Sequence, residues 1–182
     1  MGETVNESPP QSRHLQSPIS HLPSPISLSV LRGGFVFSSV AKVLAMTDHR
    51  RRTLEVNDRT YAAWNAHDPD AVAALFAEDA MVREIGGAGE ARGRAAVRAR
   101  AAALLTAFPD LRLERVELVI DGERHADRWV LTGTHRGELF GIAPTGRRVR
   151  IEGATFTHLG PDGLVVEDVH LSDVAGLLAQ LS

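Results

Sequence analysis

The stretch Glu167-Asp168-Val169-His170-Leu171-Ser172-Asp173 crowds carboxylates, an imidazole and a hydroxyl into one short run. Side chains alternate along a strand, so Asp168 and His170 share one face while Glu167 and Asp173 share the other. A carboxylate beside an imidazole orients the ring and favours its charged form, which poises it for proton transfer near neutral pH. His170 backed by Asp168 is therefore the acid/base candidate. A plainer reading has Asp173 capping the last helix and His170 filling a pocket position. The i, i+3 spacings in this run would converge on a metal only from a helix, so no metal site is expected.

Two further polar residues stand out. Arg100 falls three residues after Val97 and four before Leu104, on what should be the buried side of a helix. A buried charge is costly unless paired or facing a wet cavity, so Arg100 either holds a substrate oxygen or snorkels past the apolar stripe to solvent. His135 shares its strand face with Trp129 and Leu131, and lies beside glycines. It can donate to a developing oxyanion or shuttle a proton; the alternative is a histidine bonded within a turn. No Gly-x-Ser-x-Gly elbow or phosphate-cradling loop occurs. Arginines 92, 94, 98 and 100, and 147, 148 and 150, are interleaved with acids and lack aromatic companions. They read as a solvated face, and nucleic acid is not an expected partner.

The elements that must position these residues are legible from period and punctuation. Leu54, Asn57, Tyr61 and Trp64 recur at helical spacing, which predicts an amphipathic helix over 53–66. Asp68-Pro69 is an N-cap followed by proline at the first turn, opening a second helix over 69–77. A short strand is expected from Met81 to Ile85, closed by Gly86-Gly87. A third helix follows Gly93, with Val97, Ala101, Leu104 and Phe108 as its stripe, and stops before Pro109. The period then switches to alternation. Leu111 and Leu113 fall on one parity, but Val116, Leu118 and Ile120 on the other, so a β-bulge is expected near Glu114-Arg115. Asp121-Gly122 is a turn; strands follow through Trp129 to His135, over 147–159 and over 164–172, with Asp162-Gly163 closing the last hairpin. Val174, Leu177, Leu178 and Leu181 make a short final helix. Helices followed by antiparallel strands indicate an α+β fold with helices on one face of the sheet.

The chain has 182 residues, 43% hydrophobic and 24% charged, with a formal net charge of −3. That balance gives no electrostatic case for nucleic acid or an anionic membrane. The absence of cysteine excludes disulfides, thiolate metal sites and a cysteine nucleophile. The first 45 residues differ in character: they hold five of the nine prolines, a repeated Ser-Pro-Ile-Ser, and no alanine before Ala41. Residues 1–28 are expected to be disordered. Residues 29–45 are too short and too charged to span a bilayer, and lack the basic lead of a signal peptide. The expected organisation is a leader over 1–45, with Met46 as the working start, and one domain over 46–182.

The run from Gly133-Thr134-His135-Arg136-Gly137 through Pro144-Thr145-Gly146-Arg147-Arg148, read with Asp162-Gly163 and Asp173 to Gln180-Leu181, resembles the SnoaL-like polyketide cyclase (ester cyclase) branch of the nuclear transport factor 2-like superfamily. The resemblance covers roughly 50–181. It implies a cone of three N-terminal helices packed on a curved, mostly antiparallel sheet, with a short C-terminal helix and an interior pocket. It also implies cofactor-free ring closure by intramolecular aldol condensation on an apolar carbonyl-bearing molecule, in a cytoplasmic homodimer. Counting along the motif, the family's catalytic aspartate falls on His170, its pocket histidine on Thr155, a pocket aromatic on Trp64 and a pocket asparagine near Arg100. The acid/base pair is thus exchanged on a retained scaffold. The expected site is His170, Asp168 and His135 for catalysis, with Trp64, Arg100, Trp129, Thr155 and Asp173 around the substrate. Two rivals stand beside it: a non-catalytic binding module, and an isomerase or epoxide-hydrolase-like enzyme that needs a carboxylate facing the pocket.

Overall fold

Helix α1 spans Val36–Asn65 in the computed structural model, which describes residues 36–182 apart from Ala88, with side chains from residue 43 onward. Of the expected leader, residues 1–35 lie outside the described residues. The buried face of α1 runs through Thr53, Val56 and Asn57, continuing past Tyr61 and Trp64. Leu54, expected on that face, is 39% exposed: polar Thr53 takes the inward position because its hydroxyl reaches the Gly122 carbonyl at 2.7 Å. The helix ends at His67, whose φ of 57° turns the chain while its Nε2 meets the Leu111 carbonyl at 2.8 Å.

Asp68 caps helix α2 (Pro69–Ala73) as its sequence requires, accepting from the amides of Asp70 and Ala71 at 3.0 and 2.9 Å. The expected extension to residue 77 is replaced by a strand. Strand β1 (Phe76–Ile85) starts there because Phe76 and Val82 are wanted in the sheet's buried face. A turn at Gly86 leads to β2 (Gly89–Arg92), which sequence periodicity did not reveal. Gly93, at φ 86°, then opens α3 (Arg94–Ala107); a Cβ there would also approach the Glu78 carbonyl to 3.0 Å. The three helices are therefore not consecutive at the N-terminus, since the β1–β2 hairpin separates α2 from α3.

Strands β3 (Arg112–Asp121), β4 (Arg124–Thr134), β5 (Arg148–Leu159) and β6 (Val165–Ser172) follow, then α4 (Val174–Leu181). The six-stranded sheet has the order β2-β1-β6-β5-β4-β3, antiparallel except where β1 meets β6. It is curved and mostly antiparallel, as expected. The bulge is present, as a register shift between Arg115 and Glu117 that hands the inward positions from Leu113 to Leu118 and Ile120.

Two buried clusters hold the fold. One joins Val56, Val72, Phe76 and Val82 to Val97 and Val165; the other joins Phe108, Leu111, Trp129, Leu131 and Ile151 to Leu177. Each fully buried side chain of this size contributes about 1.5–3 kcal/mol relative to exposure. The outer sheet face carries exposed Val119, Phe156, Leu171 and Ile85. Among the described residues, no helix is long and apolar enough to cross a membrane.

Candidate active site

Between helices and sheet lies a cavity of about 360 Å³, bounded by members of both clusters. Its polar groups come mainly from the inward face of the sheet, where strand register stacks them in rows. Glu84 on β1 stands opposite His170 on β6, His170 opposite Thr155 on β5, and Thr155 opposite Asp127 on β4. The next row runs Val82, Asp168, Thr157 and His125. Residues directly opposite across strands project from the same face, so these rows form one polar floor in an otherwise apolar cavity.

His170 and Asp168 are brought together as the alternation on β6 required: His170 Nε2 lies 3.0 Å from Asp168 Oδ2. The Thr157 hydroxyl donates to the other carboxylate oxygen at 2.6 Å. With both Asp168 oxygens accepting, Nε2 carries a proton and the lone pair sits on Nδ1. That atom is 3.3 Å from Thr155 Oγ1, which itself accepts from Trp129 Nε1 at 2.9 Å. Burial alone would lower the His170 pKa, but the charge of Asp168 and its hydrogen bond outweigh it, so the imidazole titrates above its ordinary value.

Arg100 and Trp64 also line the cavity. Arg100 does not snorkel free; its guanidinium is ion-paired with Glu84. Of the eight expected site residues, Trp64, Arg100, Trp129, Thr155, Asp168 and His170 line the cavity, while His135 and Asp173 do not.

His135 is fully buried elsewhere. β4 ends at Thr134, the His135 amide bonds to the Arg147 carbonyl at 2.9 Å, and the ring packs on Phe108 at 5.6 Å between centroids. Its Nδ1 accepts from the Thr145 amide at 3.2 Å. It therefore ties a turn to the core, the plainer of its two sequence readings. Asp173 is the N-cap of α4, accepting from the Gly176 amide at 2.8 Å, and its carboxylate serves that helix.

A second polar group was missed from sequence. The Tyr61 hydroxyl donates to Asp127 Oδ2 in a short hydrogen bond. Beside them Asn57 Nδ2 contacts His125 Nε2 at 3.0 Å, and Arg115 donates to Asn57 Oδ1 at 2.5 Å and to Asp58 at 2.6 Å. Burial raises the carboxyl of Asp127 above its usual range and lowers the His125 imidazole. Burial and then Asp127 raise the Tyr61 phenol. His125 Nδ1 and Asp127 Oδ1 are buried without partners. A signal existed: His125 and Asp127 have the same parity as Trp129 and Leu131. Arg115 was hidden by the bulge.

A family model for SnoaL-like polyketide cyclases matches residues 54–181. Among solved structures, IdmH from Streptomyces antibioticus, a proposed polyketide cyclase, is 30% identical with a TM-score of 0.62, over 71% of this chain and 97% of its own. AclR from Streptomyces galilaeus, a proposed hydroxylase, is 29% identical with a TM-score of 0.64, over 72% and 85%. A SnoaL-like protein from Jannaschia sp. CCS1 shares the fold at 20% identity, with a TM-score of 0.67 over 73% and 93%. No curated protein matches the chain.

Proposed function

The chain belongs to the SnoaL-like polyketide cyclase family, and from that premise we propose that it performs cofactor-free acid/base chemistry on an apolar, carbonyl-bearing small molecule held in the cavity. The observation that carries the reading is the His170–Asp168 pair, 3.0 Å apart on the wall of a cavity of about 360 Å³. That volume lies within the range of small-molecule pockets, about 300–1,000 Å³.

In this reading the neutral His170 takes a proton from a carbon next to a carbonyl. Nδ1 accepts it, the long contact to Thr155 yielding to substrate. The imidazolium is stabilised by Asp168 through Nε2, and Thr157 holds that carboxylate in place. The enolate carbon attacks a second carbonyl of the same molecule, a carbon–carbon bond closes the ring, and the new alkoxide recovers the proton. Atoms balance without an added reagent. Trp64 and Trp129 flank the substrate as apolar walls.

The test is His170→Ala against a poly-β-carbonyl ester, with ring closure followed by absorbance and binding by calorimetry. Loss of one positioned proton carrier should cost about 10²–10⁴-fold in turnover, with affinity retained. Unchanged turnover removes His170 from the chemistry. A second reading, isomerisation or epoxide opening led by a carboxylate, is favoured by the presence of Asp127 and Asp168 on the cavity wall. It expects Asp127→Asn or Asp168→Asn to abolish turnover while His170→Ala keeps it.

The same reading expects a homodimer over the outer sheet face. Its support is the exposed apolar row of Val119 and Phe156, next to Leu171, with Glu117, Arg128, Arg150 and Glu152 forming ion pairs at its margin. Sedimentation of Phe156→Glu should then show monomers.

A further inference from the structure

Ring closure through an enolate needs a donor for the oxygen on which negative charge develops, and the residues first expected in that role are otherwise engaged. His135 is outside the cavity, and Arg100 is paired with Glu84. Trp129 Nε1 is committed to Thr155, Thr157 to Asp168, and the Thr60 hydroxyl to the Val56 carbonyl at 3.0 Å. Two hydroxyls facing the cavity remain, those of Tyr61 and Ser172. Ser172 sits on His170's own strand, beside the base. Tyr61 approaches from α1 over β4, across Thr155 from His170, so a carbonyl between them meets base and donor from opposite sides.

We propose that Tyr61 is the oxyanion donor of this site, with Asp127 as the positioning residue that fixes the phenol and hands it a hydrogen bond. This rests on the acid/base reading above. The Tyr61 hydroxyl has one proton, given to Asp127 in the empty cavity. For it to turn to a substrate oxygen, Asp127 must carry a proton itself and donate to the phenol oxygen.

The surroundings of Asp127 favour that neutral form. It is 6% exposed, and its Oδ1 is buried without a partner, an arrangement costly for a carboxylate and tolerable for an acid. The charged and titratable groups around it are Tyr61 from α1, Arg115 from β3, His125 on its own strand, and Asp168 with His170 from β6. Arg115 is spent on Asn57 and Asp58, His125 is held toward its neutral form, and Asp168 adds like charge. No cation in this set pairs with Asp127.

The experiment uses binding only, so it stands or falls apart from turnover. The probes are 2-naphthol and naphthalene, planar apolar molecules that differ by one oxygen, titrated into the full chain by calorimetry. The expected result is that the wild type prefers 2-naphthol by about tenfold or more, that Tyr61→Phe brings the two within about twofold, and that Ser172→Ala keeps the preference. Melting curves confirm that each variant is folded. Infrared difference spectra should show a protonated carboxyl band at neutral pH that Asp127→Asn removes. A preference that survives in Tyr61→Phe, a preference lost in Ser172→Ala, or the absence of that band overturns the proposal. Failure of His170→Ala to slow turnover overturns the acid/base reading instead.

Discussion

His170 and Asp168 occupy alternate positions of one strand, and their facing atoms, Nε2 and Oδ2, stand 3.0 Å apart. Two opposing effects act on this imidazole. Burial disfavours its charged form, and Asp168 favours it more strongly. Removing the carboxylate should therefore reverse the sign of the shift. By nuclear magnetic resonance the His170 ring should titrate above about 6.5, the ordinary imidazole value, and in Asp168→Asn it should titrate below it. The same shift feeds stability: with the folded pKa raised, the pair's contribution is complete below about pH 6.5 and is lost as pH rises through the folded value. Denaturant unfolding of wild type against His170→Asn across that window measures it. A ring that titrates lower in wild type than in Asp168→Asn contradicts the assignment.

Gly153 lies under the indole of Trp129, its partner across the β4–β5 ladder. A Cβ there would collide with the ring and meet the Leu171 carbonyl at 2.8 Å. Gly153→Ala should push Trp129 into the cavity, cost about 1–3 kcal/mol by overpacking, and weaken 2-naphthol binding. Thermal unfolding and calorimetry check both effects.

The Arg100–Glu84 ion pair spans the cavity wall from α3 to β1, with side chains 27% and 12% exposed. Glu84→Gln leaves a mostly buried guanidinium without its counter-charge, at a cost of about 1–3 kcal/mol. Freed Arg100 should then attract anionic ligands, so binding of 2-naphthoate should tighten relative to 2-naphthol. Unchanged relative affinity would show that Arg100 does not reach the ligand.

His135 should matter to the fold and not to the chemistry. His135→Leu removes the acceptor for the Thr145 amide while keeping contact with Phe108. The melting temperature should fall by the equivalent of about 1–2 kcal/mol, and turnover per folded molecule should stay at the wild-type level. A large fall in turnover at full occupancy would return His135 to the site.

Local rules were enough for much of this protein. Alternation on 164–172 placed Asp168 and His170 on one face, Asp68-Pro69 marked a helix start, and the parity break after Leu113 announced the bulge, because each depends on neighbours within a few residues. The helix expected over 69–77 failed for a non-local reason: Phe76 joins a strand whose partner, β6, lies almost ninety positions later, at Val165. The cavity floor was hidden for the same reason. Glu84, His170, Thr155 and Asp127 become a row only when β1, β6, β5 and β4 pair in register. Tyr61 meets Asp127 only when α1 packs over that sheet. His135 shows the converse, since strand parity aimed it at the pocket, yet the chain leaves the strand at Thr134 and folds its ring against Phe108. Sequence determined which groups were available and which face of its own element each belonged to. Tertiary structure alone decided which of them meet, because pairing register and helix docking are set by contacts between distant segments.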